Sequence, residues 1–194
     1  MLDSAYSEAL LQKYTHLPWI TFPAIEYLAQ LDLREKALFE WGSGESTLFF
    51  AERCKSVISV DHDPHYYALY KDRAPNAEVY LRDISNFAEV IDDFNTIFDV
   101  IAIDSERRAD CCKKALKHLS SGGLIIFDNS NWHGACCKLM RDAGLIQVDF
   151  HGMGAHNDYA WTTSLFFTRD FNFKPLLEPQ PQAPLFGGLV VVDE

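Results

Sequence analysis

The chain has 194 residues, of which 48% are hydrophobic and 23% charged, and its formal net charge at pH 7 is -11. This balance predicts one folded globular domain and excludes a largely disordered chain. The acidic charge repels a nucleic-acid backbone, and the densest basic stretches, Arg107-Arg108 and Lys113-Lys114, are predicted to lie on the solvated face of a helix. We therefore expect no nucleic-acid partner.

The sequence also predicts a cytoplasmic protein without a membrane anchor. The N-terminal residues lack the basic and apolar regions of a signal peptide, and no stretch approaches the roughly 18 to 20 apolar residues of a membrane span. The cysteine spacing fits neither a disulfide framework nor a zinc site, so we expect reduced thiols packed on helices. The five cysteines are Cys54, Cys111, Cys112, Cys136 and Cys137.

From residue 37 onward, short apolar runs alternate with helical patterns, which is typical of βαβ units and a parallel sheet. Residues 1–36 predict one or two helices that precede the sheet. The predicted strands are Ala37–Trp41, Ser56–Asp61, Ala77–Leu81, Phe98–Asp104, Leu124–Asp128, Ile146–His151 and Trp161–Thr168. The helices predicted between them are Ser46–Cys54, one that begins at Pro64, Asn86–Phe94, Arg107–Leu119 and Asn131–Ala143.

The alternation ends after the fifth helix of this series. Only the polar loop Gly152–Ala160 separates the last two strands, which predicts an antiparallel pair. We predict a single domain over residues 1–174, with its core at 37–168, followed by a proline-rich extension over 175–194. The extension ends in the apolar run Leu185–Val192, for which the sequence leaves an edge strand, an interaction tail and a packed extension open.

A glycine-rich turn, Gly42-Ser43-Gly44, follows the first strand and opens a helix. Glycines at such a turn let the main chain approach a ligand without an intervening Cβ, and the helix beyond begins with unpaired N–H groups. A plain tight turn has the same residues, but the strand–turn–helix context favours a nucleotide-like ligand.

Acidic side chains follow the second and third predicted strands. Asp61 lies 19 residues after Gly42, near the spacing at which a carboxylate accepts hydrogen bonds from both hydroxyls of a ribose. Asp63 is better placed than Asp61 to cap the helix at Pro64. Asp83 is predicted either to accept from an adenine amine or to cap a helix.

In this order, the segments FEWGSGES, VISVDHD, LRD, FDVIAIDS and SGGLIIFDN resemble the class I S-adenosylmethionine-dependent methyltransferases over about residues 37–168. The resemblance implies an α/β fold with a Rossmann-like, doubly wound sheet of seven mostly parallel strands, an antiparallel last strand and helices on both faces. It implies S-adenosylmethionine as the cofactor, although Ser46 replaces the usual third glycine. The implied cofactor-binding residues are Glu40, Gly42, Ser43, Gly44, Asp61, His62, Asp83 and Asp104.

Oxygen-bearing side chains follow strands four and five. Asp104, Asp128 and Asn129 are predicted to share one crevice, and two carboxylates with a carboxamide suit Mg²⁺. The segment DNSNW is similar to the metal-binding segment of the catechol- and caffeoyl-type O-methyltransferases. The alternative is that Asp104 orients the acceptor while Asn129 and Ser130 cap the next helix.

We predict catalytic roles for Asp104, Asn129 and His156, with His133 and Tyr159 as further candidates for a general base. The predicted function is methyl transfer to a small-molecule or sugar acceptor, with oxygen as the first choice of atom. Two alternatives stay open: an NAD-dependent Rossmann oxidoreductase, although Thr47 stands where its fingerprint needs a third glycine, and an inactive methyltransferase-like binding protein. A homo-oligomer is also left open.

Overall fold

The computed structural model describes residues 2–185, without the side chains of residues 2–4 and 7. Its strands are Ala37–Trp41 (β1), Ser56–Asp61 (β2), Ala77–Leu81 (β3), Phe98–Ile103 (β4), Leu119–Phe127 (β5), Ile146–Gly152 (β6) and Trp161–Phe167 (β7). Its α-helices are Leu2–Lys13 (α1), Phe22–Leu28 (α2), Glu45–Ala51 (α3), Pro64–Tyr70 (α4), Arg108–His118 (α5) and Gly134–Asp142 (α6).

The strands form one sheet in the order β3-β2-β1-β4-β5-β7-β6. The first five strands pair in parallel, whereas β7 lies between β5 and β6 and is antiparallel to both. This confirms the predicted seven-stranded, mostly parallel sheet. The strand order reverses between β1 and β4, and in open α/β sheets ligands bind outside the carboxyl ends of the strands at this switch point.

Two apolar layers cover the sheet, because successive side chains of each strand point to opposite faces. In β1, Leu38 belongs to the layer that includes Ile25 of α2 and Phe50 of α3. Phe39 and Trp41 belong to the other layer, together with buried residues of α5 and α6. Helices therefore lie on both faces of the sheet, as predicted.

Three local predictions needed correction. The predicted helix Asn86–Phe94 is instead two 3-10 turns, Ile84–Asn86 and Glu89–Asp93, and Asp83 caps the first by accepting from the N–H of Ser85. Strand β5 begins five residues before the predicted Leu124, and its extra residues are absorbed in a register shift against β4. A 3-10 turn, Ser130–Trp132, precedes α6, which begins at Gly134.

All five cysteines are free and buried, as expected for packed thiols. No α-helix within residues 2–185 is long and apolar enough to cross a bilayer. Pro175 bridges to Leu31 and Leu185 packs on the core, so the described part of the C-terminal extension contacts the N-terminal segment. The rest of the predicted Leu185–Val192 run lies outside the described residues, and the predicted domain boundaries stay a prediction.

Candidate active site

A cleft of about 780 Å³ lies at the carboxyl ends of β1, β2, β4 and β5. This volume is in the upper part of the range for small-molecule sites. We call one end the glycine end; it is lined by residues 42–46 and 61–63 and by Tyr66 and Tyr70. We call the other the arginine end; it is lined by Trp19, residues 104–108, Asp128, Asn129, Trp132, His133, His156, Asn157 and Tyr159.

The glycine end begins at Gly42, whose φ of +102° lies in the region that favours glycine. Its N–H still bonds to the carbonyl of Val60, so the turn starts from the β1–β2 ladder. A Cβ at this position would lie 2.2 Å from the carbonyl oxygen of Asp104. The main chain of the turn and the end of β4 therefore meet at a distance that admits no side chain.

Asp61 fixes the rest of this turn. Its carboxylate accepts hydrogen bonds from the N–H groups of Ser43, at 2.7 Å, and Asp63, at 2.8 Å. Only 5% of the residue is exposed, yet it lines the cleft. Each carboxylate oxygen has a second lone pair, so Asp61 keeps acceptor capacity for two ligand hydroxyls.

Glu40 lies beneath the turn and does not line the cleft. Its Oε2 atom accepts hydrogen bonds from Thr47, at 2.6 Å, and Ser59, at 2.8 Å. Burial raises the pKa of Glu40 to about 7, although these hydrogen bonds oppose the rise. Thr47 also accepts from the N–H of Gly44, so it links the turn to the buried carboxyl of Glu40.

At the arginine end, Arg108 joins the ends of β4 and β5. Its Nη2 atom donates to Asp104 Oδ1 and to Asn129 Oδ1, both at 2.9 Å. Its Nη1 atom donates to the backbone oxygen of Asp128 at 2.6 Å. Burial raises the pKa of Asp104, and the charge and hydrogen bond of Arg108 oppose that rise.

The carboxylate of Asp128 is engaged elsewhere. It accepts from the indole N–H of Trp161 at 2.9 Å and from the hydroxyl of Thr163 at 2.5 Å, both on β7. Burial first, and the charge of Asp104 second, raise the pKa of Asp128 to about 7. The buried carboxyl of Asp128 therefore links the end of β5 to β7 through hydrogen bonds.

Aromatic side chains form the mouth of the arginine end. Trp132 is 57% exposed, and Trp19 and Tyr159 are each 46% exposed. In the amide orientation that satisfies both its atoms, Asn157 accepts from Tyr159 and Trp19 at 3.1 and 3.3 Å. His156 packs edge-on against Trp19, with ring centroids 5.3 Å apart. Large rings left exposed around a cleft are typical of a binding site.

His133 lies deeper in the same end. Burial and the nearby positive charge of Arg108 lower the pKa of His133 below its ordinary value. Its imidazole is therefore neutral at physiological pH and can accept a proton.

A family model described as "Methyltransferase domain" matches residues 39–130, from β1 to the turn after β5. The matched segment contains the glycine turn, Asp61, Asp104, Arg108 and Asn129. This chain therefore contains a methyltransferase domain over residues 39–130. The match decides against the NAD-dependent oxidoreductase that the sequence left open. A comparison with curated protein sequences finds no significant match.

Solved structures agree on the fold of the methyltransferase. Precorrin-6y C5,15-methyltransferase from Geobacter metallireducens GS-15 superposes with a TM-score of 0.62, at 12% identity, over 75% of this chain and 86% of that one. The O-methyltransferase TomG from Streptomyces achromogenes, in complex with S-adenosylmethionine, gives 0.60 at 15% identity, over 85% and 88%. The N-methyltransferase NodS from Bradyrhizobium japonicum WM9 gives 0.53 at 14% identity, over 75% and 91%. These neighbours act on different acceptor atoms, so the fold does not specify the atom.

The predicted residues of the methyltransferase fall into two groups. Those that line the cleft are Gly42, Ser43, Gly44, Asp61, His62, Asp104, Asp128, Asn129 and His156. Glu40 and Asp83 do not line it. Asp83 is exposed and accepts from the N–H and hydroxyl of Ser85, which is the helix-capping alternative, and its adenine contact stays a prediction. The contact roles of the first group stay predictions.

The predicted Mg²⁺ ligands do not fit a divalent cation. Asp104 and Asn129 both direct their oxygens at the guanidinium of Arg108, and the Asp128 carboxylate faces β7. Within residues 2–185, no group of three or more His, Cys, Asp or Glu side chains could hold a metal ion.

Several residues of the site were not predicted from the sequence. Arg108 was expected on a solvated helix face, but its side chain is only 15% exposed and points into the cleft. Nothing in the local sequence distinguishes it from Arg107. Tyr66 and Tyr70 line the glycine end and stack with centroids 6.5 Å apart, and their spacing of four on α4 was the available signal.

Proposed function

We propose that the methyltransferase transfers the methyl group of S-adenosylmethionine to a hydroxyl of a small-molecule or sugar acceptor. The observation that carries the proposal is the single cleft that joins a nucleoside-type turn, Gly42 to Asp61, to an aromatic mouth. A cleft of about 780 Å³ suits a nucleoside ligand together with a small acceptor and is small for a macromolecular segment.

The glycine end would bind the donor. Asp61 would accept hydrogen bonds from the ribose hydroxyls, and the main chain at Gly42 and Gly44 would face the amino-acid part. Tyr66 and Tyr70 offer ring faces to an adenine. The bound cofactor supplies an electrophilic methyl group on a sulfonium.

The arginine end would position the acceptor. Methyl transfer to the acceptor hydroxyl would release the hydroxyl proton, which a base of this chain must accept. His133, neutral and inside the cleft, is the best-placed base, whereas His156 lies at the mouth. Asp104 and Asn129, fixed by Arg108, would orient the acceptor hydroxyl.

Calorimetric titration tests the donor half of the proposal. S-adenosylhomocysteine should bind with a stoichiometry of about one and raise the melting temperature, because a ligand specific for the folded state stabilises it. NADH, under the same conditions, should do neither. Absence of S-adenosylhomocysteine binding would overturn the proposal.

Methyl-labelled S-adenosylmethionine tests the acceptor half. The enzyme is incubated with three panels: hydroxylated aromatic compounds, hexoses and primary amines. Labelled ethers from either of the first two panels support an oxygen acceptor. Labelled amines alone contradict it, and donor binding without turnover on any panel supports the inactive binding protein instead.

A further inference from the structure

Arg108 is a permanently charged group held inside the cleft. Its guanidinium contacts three oxygens, from Asp104, Asn129 and the backbone of Asp128. Those three residues are the ones whose types and positions predicted an Mg²⁺ site. The guanidinium is always protonated, so a divalent cation placed among the same oxygens would meet a fixed positive charge.

The main chain beside Arg108 and Asn129 is strained. Among residues 2–185, only Arg107 and Asn129 are non-glycine residues with positive φ, at 52° and 53°. A left-handed conformation costs about 1–2 kcal/mol for most residues, though less for Asn. Arg107 immediately precedes α5, and its conformation makes Arg108 the first residue of that helix. The hydrogen bond from Arg108 to Asn129 thus has a left-handed residue next to its donor and another at its acceptor. This indicates that the surrounding fold imposes the contact.

We propose that the Arg108 guanidinium takes the place of a divalent cation at the carboxyl ends of β4 and β5, and makes the acceptor site metal-independent. Arg108 is thus a positioning residue: it aims the Asp104 carboxylate and the Asn129 carboxamide without itself contacting the reacting atoms. The role in acceptor positioning rests on the proposed function. The replacement of a cation rests on the geometry alone and can be tested without an acceptor.

The probe is Mn²⁺, titrated by electron paramagnetic resonance, which counts bound and free ion. The wild-type protein should bind no stoichiometric Mn²⁺. Arg108→Ala frees the three oxygens and should bind Mn²⁺ at least about tenfold more tightly than the wild type. Arg108→Ala combined with Asp104→Asn should lose this new site.

Arg107→Ala is the matched control. Arg107 is the adjacent arginine, and it contacts Glu89 and Asp110 rather than Asp104 or Asn129. Its removal should create no Mn²⁺ site. Guanidinium ion at low millimolar concentration should compete with Mn²⁺ in Arg108→Ala, because it refills the vacated position. A merely structural arginine would produce neither effect.

Binding of S-adenosylhomocysteine to each variant separates the two proposals. A variant that binds S-adenosylhomocysteine is folded at the glycine end, whatever its Mn²⁺ result. If the wild type does not bind S-adenosylhomocysteine, only the proposed function is refuted. If Arg108→Ala does not fold, Arg108→Gln serves as the uncharged variant. Two outcomes overturn the inference. One is a stoichiometric Mn²⁺ site in the wild type that disappears with Asp104→Asn. The other is the absence of a Mn²⁺ site in the folded uncharged variant.

Discussion

The glycine end of the cleft is built from two consecutive βα turns, whereas side chains from four separate segments line the arginine end. At the glycine end, Asp61 accepts from the N–H groups of Ser43 and Asp63, and Thr47 accepts from that of Gly44. At the arginine end, a carboxylate and a carboxamide both accept from one guanidinium. We therefore expect the shape of the first end to depend mostly on the main chain, and that of the second on individual side chains.

This difference explains how one fold serves different acceptors. The structural neighbours include C-, N- and O-methyltransferases by name, at 12 to 15% identity. A main-chain site keeps its shape when surrounding side chains are replaced. A site of side chains from distant segments does not, so we expect acceptor specificity to depend on the arginine end.

The largest expected effect is that of Gly42→Ala. The new Cβ would lie 2.2 Å from the Asp104 carbonyl oxygen at a φ of +102°, so the turn or β4 must move. We expect a loss of at least about 3 kcal/mol in the free energy of unfolding and at least about tenfold in S-adenosylhomocysteine affinity.

Chemical denaturation and calorimetric titration measure these two losses. Gly134→Ala is the matched control, because no atom lies within 4 Å of its added Cβ and α6 begins there. It should change stability by no more than about 1 kcal/mol. Wild-type affinity in Gly42→Ala would show that the turn does not depend on its main-chain geometry.

Glu40→Gln should change how stability depends on pH. The carboxyl has an ordinary pKa of 4.5 and a folded-state pKa of about 7. Below pH 4.5 the Glu40 carboxyl is protonated in both the folded and the unfolded protein. Between pH 4.5 and 7 it ionises only in the unfolded protein, so the wild type loses stability as the pH rises. The loss levels off above pH 7 at about 3 kcal/mol.

The variant lacks this titration, so the difference in melting temperature between Glu40→Gln and wild type should grow in favour of the variant from pH 4.5 to 7. Thermal melts at closely spaced pH values measure it. Glu35→Gln, at an exposed carboxyl, is the control and should show no such trend. A constant difference across this range would contradict the buried, neutral state of Glu40.

Asp61→Ala and Asp83→Ala test the glycine end as a pair. Asp61 lines the cleft, whereas Asp83 is exposed and bonds to Ser85. Loss of a hydrogen bond between a ligand and a charged side chain costs about 1.5–3 kcal/mol of binding free energy. We expect S-adenosylhomocysteine affinity to fall about 10- to 100-fold in Asp61→Ala and less than about twofold in Asp83→Ala.

Calorimetric titration of both variants decides between the two acids. An equal loss in Asp83→Ala would support the adenine contact that the sequence predicts for Asp83.

Trp132→Ala should have the smallest effect on the protein itself. The side chain is 57% exposed, so stability should change by less than about 0.5 kcal/mol. Donor affinity should stay unchanged, but kcat/KM for an acceptor found in the panels should fall about fivefold, as expected for the loss of one ring contact of about 1 kcal/mol.

Steady-state kinetics measures the use of the acceptor, and calorimetry measures the affinity for the donor. Ile97→Ala, at a 51% exposed residue off the cleft, should change neither. If Trp132→Ala weakens donor binding as much as acceptor use, the two ends of the cleft are not separate in function.

Local sequence determined the sheet and the glycine end. The bounds of β1, β2 and β3 match their predicted ranges, because short runs of β-branched and aromatic residues bounded by turns specify a buried strand. Gly42 and Asp61 follow directly from two consecutive strand ends. Their positions follow from spacing, although their contacts with Asp104 and Ser43 require β1 to pair with β4 and β2.

Only the tertiary structure decided the arginine end. Asp104 and Arg108 are only four residues apart, but the hydrogen bond from Arg108 to Asn129 exists only once β4 and β5 pair and α5 begins beside them. The types of Asp104, Asp128 and Asn129 suggested Mg²⁺, because oxygen ligands suit a metal and a guanidinium equally well. Which cation they face depends on where Arg108 points, and that direction is a property of packing rather than of sequence.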